Sequence, residues 1–146
     1  MHHAIAPYTP ISLHVLQAFI SPTYGLLAAK GGLREHPDTV DDFFRLNARF
    51  LQRAPMPYLQ TEFLKSILEC ALLSSALEHR DANASVMKFF YDLLHAGRTR
   101  EDNPDFEARS HLIRALHSEY GGKLVDSLVR AAVLTLPSYT YQVPCS

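Results

Sequence analysis

Cysteine is scarce: of 146 residues only Cys70 and Cys145 carry thiols, far apart and in unlike surroundings. Two such positions make no disulfide framework, which fits a reducing compartment. In Ile67-Leu68-Glu69-Cys70-Ala71-Leu72 the thiol reads as a small buried hydrophobe. Excess charge of either sign is also missing, with 14 Lys and Arg against 15 Asp and Glu. Direct nucleic-acid binding needs a positive field to neutralise phosphates, so it is not expected. No uncharged apolar run approaches the roughly 20 residues of a membrane helix. Met1-His2-His3-Ala4 lacks both the basic region and the apolar run of a secretory signal. Together these absences predict a soluble chain inside the cell.

The motifs of common catalytic sites are missing too. There is no Gly-rich phosphate loop, Gly-x-Ser-x-Gly elbow or His-Glu-x-x-His pair. The eight histidines are scattered, with no His-x3-His spacing and no neighbouring cysteine cluster. No catalytic, cofactor-binding or metal residues are therefore nominated, and the chain is not expected to be an enzyme. Asn83-Ala84-Ser85 matches a glycosylation acceptor, but it falls in a predicted helix and reads as chance.

What is present is helical periodicity. Hydrophobic residues make up 47% and charged residues 20%, a composition for folding rather than disorder. A first helix is expected from Ile11 to Ala29, capped by Thr9, with Leu13, Leu16, Phe19 and Ile20 on its apolar face and a kink or break at Pro22. Gly31-Gly32 ends it. A second is expected from an Asp38 cap, with Val40, Phe43, Phe44, Phe50 and Leu51 inward and Pro55 and Pro57 as its stop. A third spans Tyr58 to Leu77, carrying Phe63, Leu64, Ile67, Leu68, Ala71 and Leu72. A fourth starts from an Asp81 cap, buries Val86, Phe89, Phe90, Leu93 and Leu94, and ends at a left-handed Gly97. Asn103-Pro104 opens a fifth with Phe106, Leu112, Ile113 and Leu116, broken at Gly121-Gly122. A sixth carries Leu124, Val125, Leu128, Val129, Ala132 and Val133, and Pro137 to Ser146 is a loop or tail. No convincing period-two segment appears.

The capping signals recur. His36-Pro37-Asp38 and His79-Arg80-Asp81 lie 43 residues apart, and each precedes a Phe-Phe pair, Phe43-Phe44 and Phe89-Phe90. A two-helix unit of roughly 40 to 47 residues is the period of HEAT and armadillo repeats. Such pairs stack because one pair cannot cover both of its apolar faces. A closed bundle of six helices with two coincident caps is the competing arrangement. The predicted fold is all-α, an α-α superhelix of HEAT/armadillo-like repeats with about six helices. Its stretches are 1–37 (leading helix, proline interruption and Gly-rich turn), 38–80 and 81–120 (two helix pairs), and 121–146 (unpaired helix and tail).

Two long motifs also carry a family resemblance. Gly32-Leu33-Arg34-Glu35-His36-Pro37-Asp38-Thr39-Val40-Asp41-Asp42-Phe43-Phe44-Arg45-Leu46 and Leu77-Glu78-His79-Arg80-Asp81-Ala82-Asn83-Ala84-Ser85-Val86-Met87-Lys88-Phe89 are similar to segments of the transportins, in the importin-β superfamily of nuclear import receptors. A weaker echo runs through Asp105-Phe106-Glu107-Ala108-Arg109 and Leu136-Pro137-Ser138-Tyr139-Thr140, so the match extends from about Leu13 to Thr140. The resemblance implies a HEAT-repeat karyopherin that carries arginine-serine-rich cargo proteins, releases them to Ran-GTP and moves between cytoplasm and nucleus, with no cofactor and no membrane partner. A full receptor of this family is several times longer. The Ran-binding repeats have no counterpart here, and the arginine-rich helix that grips phosphorylated cargo lies upstream of the matched region. The expectation is therefore a fragment, with most of the cargo and Ran contacts elsewhere.

One face invites a binding role. Arg45, Arg49 and Arg53 recur every four residues and align on one side of the second helix, where they are candidates for acidic or phosphorylated protein partners. The competing reading is a solvated outer face offset by Asp41 and Asp42.

Overall fold

The computed structural model describes residues 10–130. The expected Thr9 cap, the end of the sixth helix and the tail from Pro137 lie outside them, as does the side chain of Leu13. Seven helices and no strand occur among the described residues: α1 (Pro10–Ala28), α2 (Gly32–Glu35), α3 (Pro37–Arg53), α4 (Pro55–Leu59), α5 (Leu64–Ser74), α6 (Arg80–Ala96) and α7 (Phe106–Arg130). The all-α class is as the periodicity predicts, and several boundaries differ for identifiable reasons.

α1 runs unbroken through Pro22. A proline inside a helix removes one ladder hydrogen bond, but Leu16 and Ile20 before it and Leu27 after it are all buried on one side, which holds both halves on the same neighbours. Phe19, expected on that face, is instead 61% exposed. The chain then turns at Gly31, whose φ of 76° lies in the left-handed region. At Gly32 a side chain would collide with the carbonyl of Leu26.

The caps of α3 and α6 sit two residues earlier than Asp38 and Asp81. His36 and His79 are the N-cap residues, still 43 apart, and both aspartates lie in the first turn. In α3 the reason is Pro37, whose fixed φ suits the first helical position. In α6 the imidazole itself is the cap, its Nδ1 accepting from the Ala82 N–H at 3.2 Å. The carboxylates therefore act through the helix dipole rather than as direct acceptors.

The expected helix from Tyr58 to Leu77 is divided. α4 ends at Leu59, and the Thr61 hydroxyl donates to the Tyr58 carbonyl at 2.8 Å, a local bond that competes with the helical ladder. α5 begins at Leu64 and ends at Ser74, where Asn83 Nδ2 takes up the Ser75 carbonyl at 2.8 Å. The opposite correction applies to α7, one 25-residue helix that passes through Gly121 and Gly122 without a break. It starts at Phe106, with Asn103 and Pro104 in the preceding turn, and it presents Ile113 and Tyr120 to the core. Gly97 has φ −87°, so it is not a left-handed cap. A β-carbon there would meet Ile113 at 3.0 Å, and glycine instead permits close approach of α7.

α3 and α6 form the most extensive helix contact. They run parallel, because the start of one meets the start of the other and the ends meet likewise. Asp41 accepts from the Ser85 hydroxyl near the amino ends, while Gln52 Nε2 donates to Asp92 at 2.9 Å and Arg100 reaches the Gln52 carbonyl at 2.9 Å near the carboxyl ends. Between them Phe44 packs on Phe89 with ring centroids 5.4 Å apart. Two neighbouring parallel helices about 43 residues apart require a returning helix between them, supplied by α4 and α5. A second layer is formed by α1, α4–α5 and α7, which contact one another in order. This is the geometry of stacked helix pairs. In a closed up-and-down bundle, helices two apart in sequence lie diagonally and the antiparallel neighbours share the larger contact. The fold is an all-α helical repeat.

Candidate protein-binding groove

The side-by-side stacking of α3 and α6 leaves a groove of about 550 Å³ between their outer faces. Its floor is apolar, made by Phe44 and Ala48, both buried because they carry the contact between the two helices. Its rim is basic. Arg45, Arg49 and Arg53 stand in a row along α3, and Lys88 of α6 faces them. The four-residue spacing read from the sequence thus does place the three arginines on one wall, and the fold adds a fourth cation that spacing within one helix cannot reveal.

The charges are not equivalent. Arg45 Nε donates to Asp41 at 3.0 Å, and Lys88 Nζ to the mostly buried Asp92 at 2.8 Å, so these two cations are partly offset. Asp81 adds one carboxylate to the opposite wall. Arg49 and Arg53 are exposed and have no carboxylate partner among the described residues. The open charge therefore lies toward the carboxyl end of α3. A rim of this kind suits an acidic or phosphorylated segment, because guanidinium groups form paired hydrogen bonds to carboxylate and phosphate oxygens.

A second concavity lies between α6 and α7 and has the opposite character. About 180 Å³ in volume, it is lined almost wholly by apolar groups, among them Leu68, Phe90, Leu93, Ile113, Tyr120 and Leu124. Nothing in the sequence pattern singled it out, since each residue reads simply as core.

Arg109 was likewise not nominated, and it is the most constrained polar side chain described. It is fully buried. Its Nε donates to Asp105 at 2.9 Å, Nη1 to the carbonyls of Ala96 and Thr99 at 2.5 and 3.0 Å, and Nη2 to the Arg100 carbonyl at 2.9 Å. The signal that could have found it is the Asp105/Arg109 pair at four-residue spacing just inside a helix start.

The groups whose titration is displaced, Tyr58, Cys70 and Tyr120, are all pushed up by burial, the direction that lowers nucleophilicity. Among the described residues no three His, Cys, Asp or Glu side chains come together as metal ligands. No helix among them is long and apolar enough to cross a membrane.

No family model matches the chain. An uncharacterised protein of Schizosaccharomyces pombe is 38% identical over 61 residues, which is 42% of this chain and 6% of that protein. Transportin MOS14 of Arabidopsis thaliana is 21% identical over 125 residues, which is 86% of this chain and 13% of that protein. The chain thus spans only a small part of the length of either relative, and its distant similarity to a protein named a transportin extends over most of its residues.

Proposed function

We propose that this chain is a stretch of the helical-repeat scaffold of an importin-β-type nuclear transport receptor, of the transportin kind that takes arginine-serine-rich cargo. The observation that carries the reading is the similarity to Transportin MOS14 across 86% of the chain, which falls on helix pairs stacked at a 43-residue repeat. A stack of this kind works by presenting side chains from successive helices along one surface, not by enclosing a reaction centre. In this reading the α3/α6 groove contributes to protein binding, with Arg49 and Arg53 meeting carboxylates or phosphoserines of the cargo. Arg45 and Lys88 then act as supporting charges already tied to Asp41 and Asp92. Ran-GTP release and shuttling between cytoplasm and nucleus belong to the same proposal.

The test is capture of a phosphorylated arginine-serine-rich protein by the purified chain, with and without GTP-loaded Ran. The expected result is binding that weakens as salt rises and drops about tenfold in Arg49→Glu/Arg53→Glu, the size of effect of losing charge pairs at a partly exposed rim. Binding that Ran-GTP relieves supports the transport reading. Since the family's Ran-binding repeats have no counterpart in this chain, cargo held regardless of Ran-GTP supports protein binding at the groove and leaves a stand-alone adaptor as the alternative to transport. Binding indifferent to both salt and charge reversal removes the groove from the account.

A further inference from the structure

The basic wall of the α3/α6 groove has a pitch. Arg49 and Arg53, its cations without a carboxylate partner among the described residues, stand four positions apart on one helix face. Four residues of α-helix rise about 6 Å. Along an extended strand, side chains that share an edge recur at every second residue, about 6.6–6.8 Å apart. The two repeats agree to within about 1 Å, so acidic groups at alternate positions of an extended segment match both guanidiniums. Adjacent residues of such a segment point to opposite sides, and only one of them meets the row.

A helical ligand with acidic groups four residues apart has the same 6 Å pitch as α3, roughly, so pitch alone does not choose between the two. The floor does. A helix in a groove is held through its apolar face. Phe44 and Ala48 line this floor, yet they are only 0% and 6% exposed, because their surface is taken up by the contact between α3 and α6. Almost no apolar area is left to hold an amphipathic helix. Size agrees with the floor. Five residues of helix, about 7.5 Å long and about 11 Å across, fill roughly 700 Å³. Three residues of extended chain, at the spacings of packed strands, fill about 490 Å³. The groove holds about 550 Å³.

We propose that the α3/α6 groove takes an extended segment of a partner protein with acidic side chains, carboxylate or phosphate, at alternate positions, one for Arg49 and one for Arg53. The assignment rests on the groove being a protein-binding surface, as proposed above. The side chain between the two acidic ones turns to the α6 wall, where Lys88 is already engaged by Asp92, so charge does not select it. Arg45, tied to Asp41, adds little.

The experiment titrates the full chain into fluorescent synthetic peptides and reads anisotropy at low salt. Each peptide carries a pair of glutamates or a pair of phosphoserines, placed at alternate positions, side by side, or four apart in an alanine-rich helix-forming sequence. Within each chemistry the net charge is the same. The alternate spacing is expected to bind about tenfold more tightly than either other spacing. Phosphoserine peptides should bind more tightly throughout, because each group carries more charge. Arg49→Gln or Arg53→Gln should each bring the alternate peptide down to the level of the side-by-side one. Arg45→Gln should change it less than about twofold, as expected of a cation already paired. Spacing dependence in only one of the two chemistries supports the proposal and identifies the acidic group. Equal affinity for all spacings overturns it, while leaving the groove a general acidic-segment site. Tightest binding of the helical peptides overturns it as well. No binding of any peptide removes the groove from protein binding altogether, and the proposal with it.

Discussion

Arg109 concentrates more structural consequence than any other single side chain described. Its guanidinium meets the open carbonyls at the end of α6 and in the following loop, groups that a helix terminus leaves without partners. Asp105 balances its charge, and Phe106 lies under it at 5.5 Å. Asp105 is about a third exposed and can turn to water, and the Arg100 carbonyl also accepts from the Asn103 N–H at 3.0 Å. Arg109→Leu therefore costs chiefly the side-chain bonds to the Ala96 and Thr99 carbonyls, and it is expected to lower stability by about 2–3 kcal/mol. Arg109→Lys recovers only part of this, since an ammonium group cannot span the same fork of acceptors. Urea denaturation of the three proteins measures both effects. A loss below about 1 kcal/mol for the leucine variant, within the range of an ordinary surface change, would show that water takes over the carbonyls.

Among the elements, α7 shows how burial overrides a local preference. Gly121 and Gly122 in sequence are a helix-breaking signal. The helix nevertheless continues, because Tyr120 before them is buried and Leu124 after them is half-buried on the same side. The glycines remain a weakness within it. Gly122 is exposed, and a β-carbon there meets nothing within 4 Å. Gly122→Ala should consequently raise stability by about 0.5–1 kcal/mol, read as a higher midpoint in thermal unfolding. A lower midpoint would mean that a break at this position is part of the working fold. α1 is the parallel case, with Pro22 tolerated between buried Ile20 and buried Leu27.

At the scale of the whole molecule, the outer helices of the described stack both expose apolar groups, Val125 and Val129 on α7 among them. At the amino-terminal end α1 exposes Phe19 and Leu26. Repeat proteins ordinarily close such ends with polar capping repeats, since every unit depends on its neighbour to cover one face. The chain is accordingly expected to self-associate as its concentration rises, and Phe19→Asp/Leu26→Asp should shift sedimentation toward the monomer. A parent chain that sediments as a monomer at every concentration would contradict the open-ended stack.

The sequence by itself determined the class and the repeat. Helical spacing of apolar residues and the recurrence of the His36-Pro37-Asp38 and His79-Arg80-Asp81 signals are local facts, and local facts survive folding: both signals open helices in the structure 43 positions apart, with the histidines rather than the expected aspartates at the N-cap positions. The row of Arg45, Arg49 and Arg53 was legible for the same reason, since one helix fixes its own faces. Tertiary packing decided everything that depends on two helices at once. It made α3 and α6 parallel neighbours, brought Lys88 opposite the arginines, and split the long central helix at Thr61. It also carried α7 through its glycines and buried Arg109 against the carbonyls of α6. A pattern along one chain records which side of a helix is apolar, but it holds no distance to the helix that covers that side. The sites of this protein are made by that pairing.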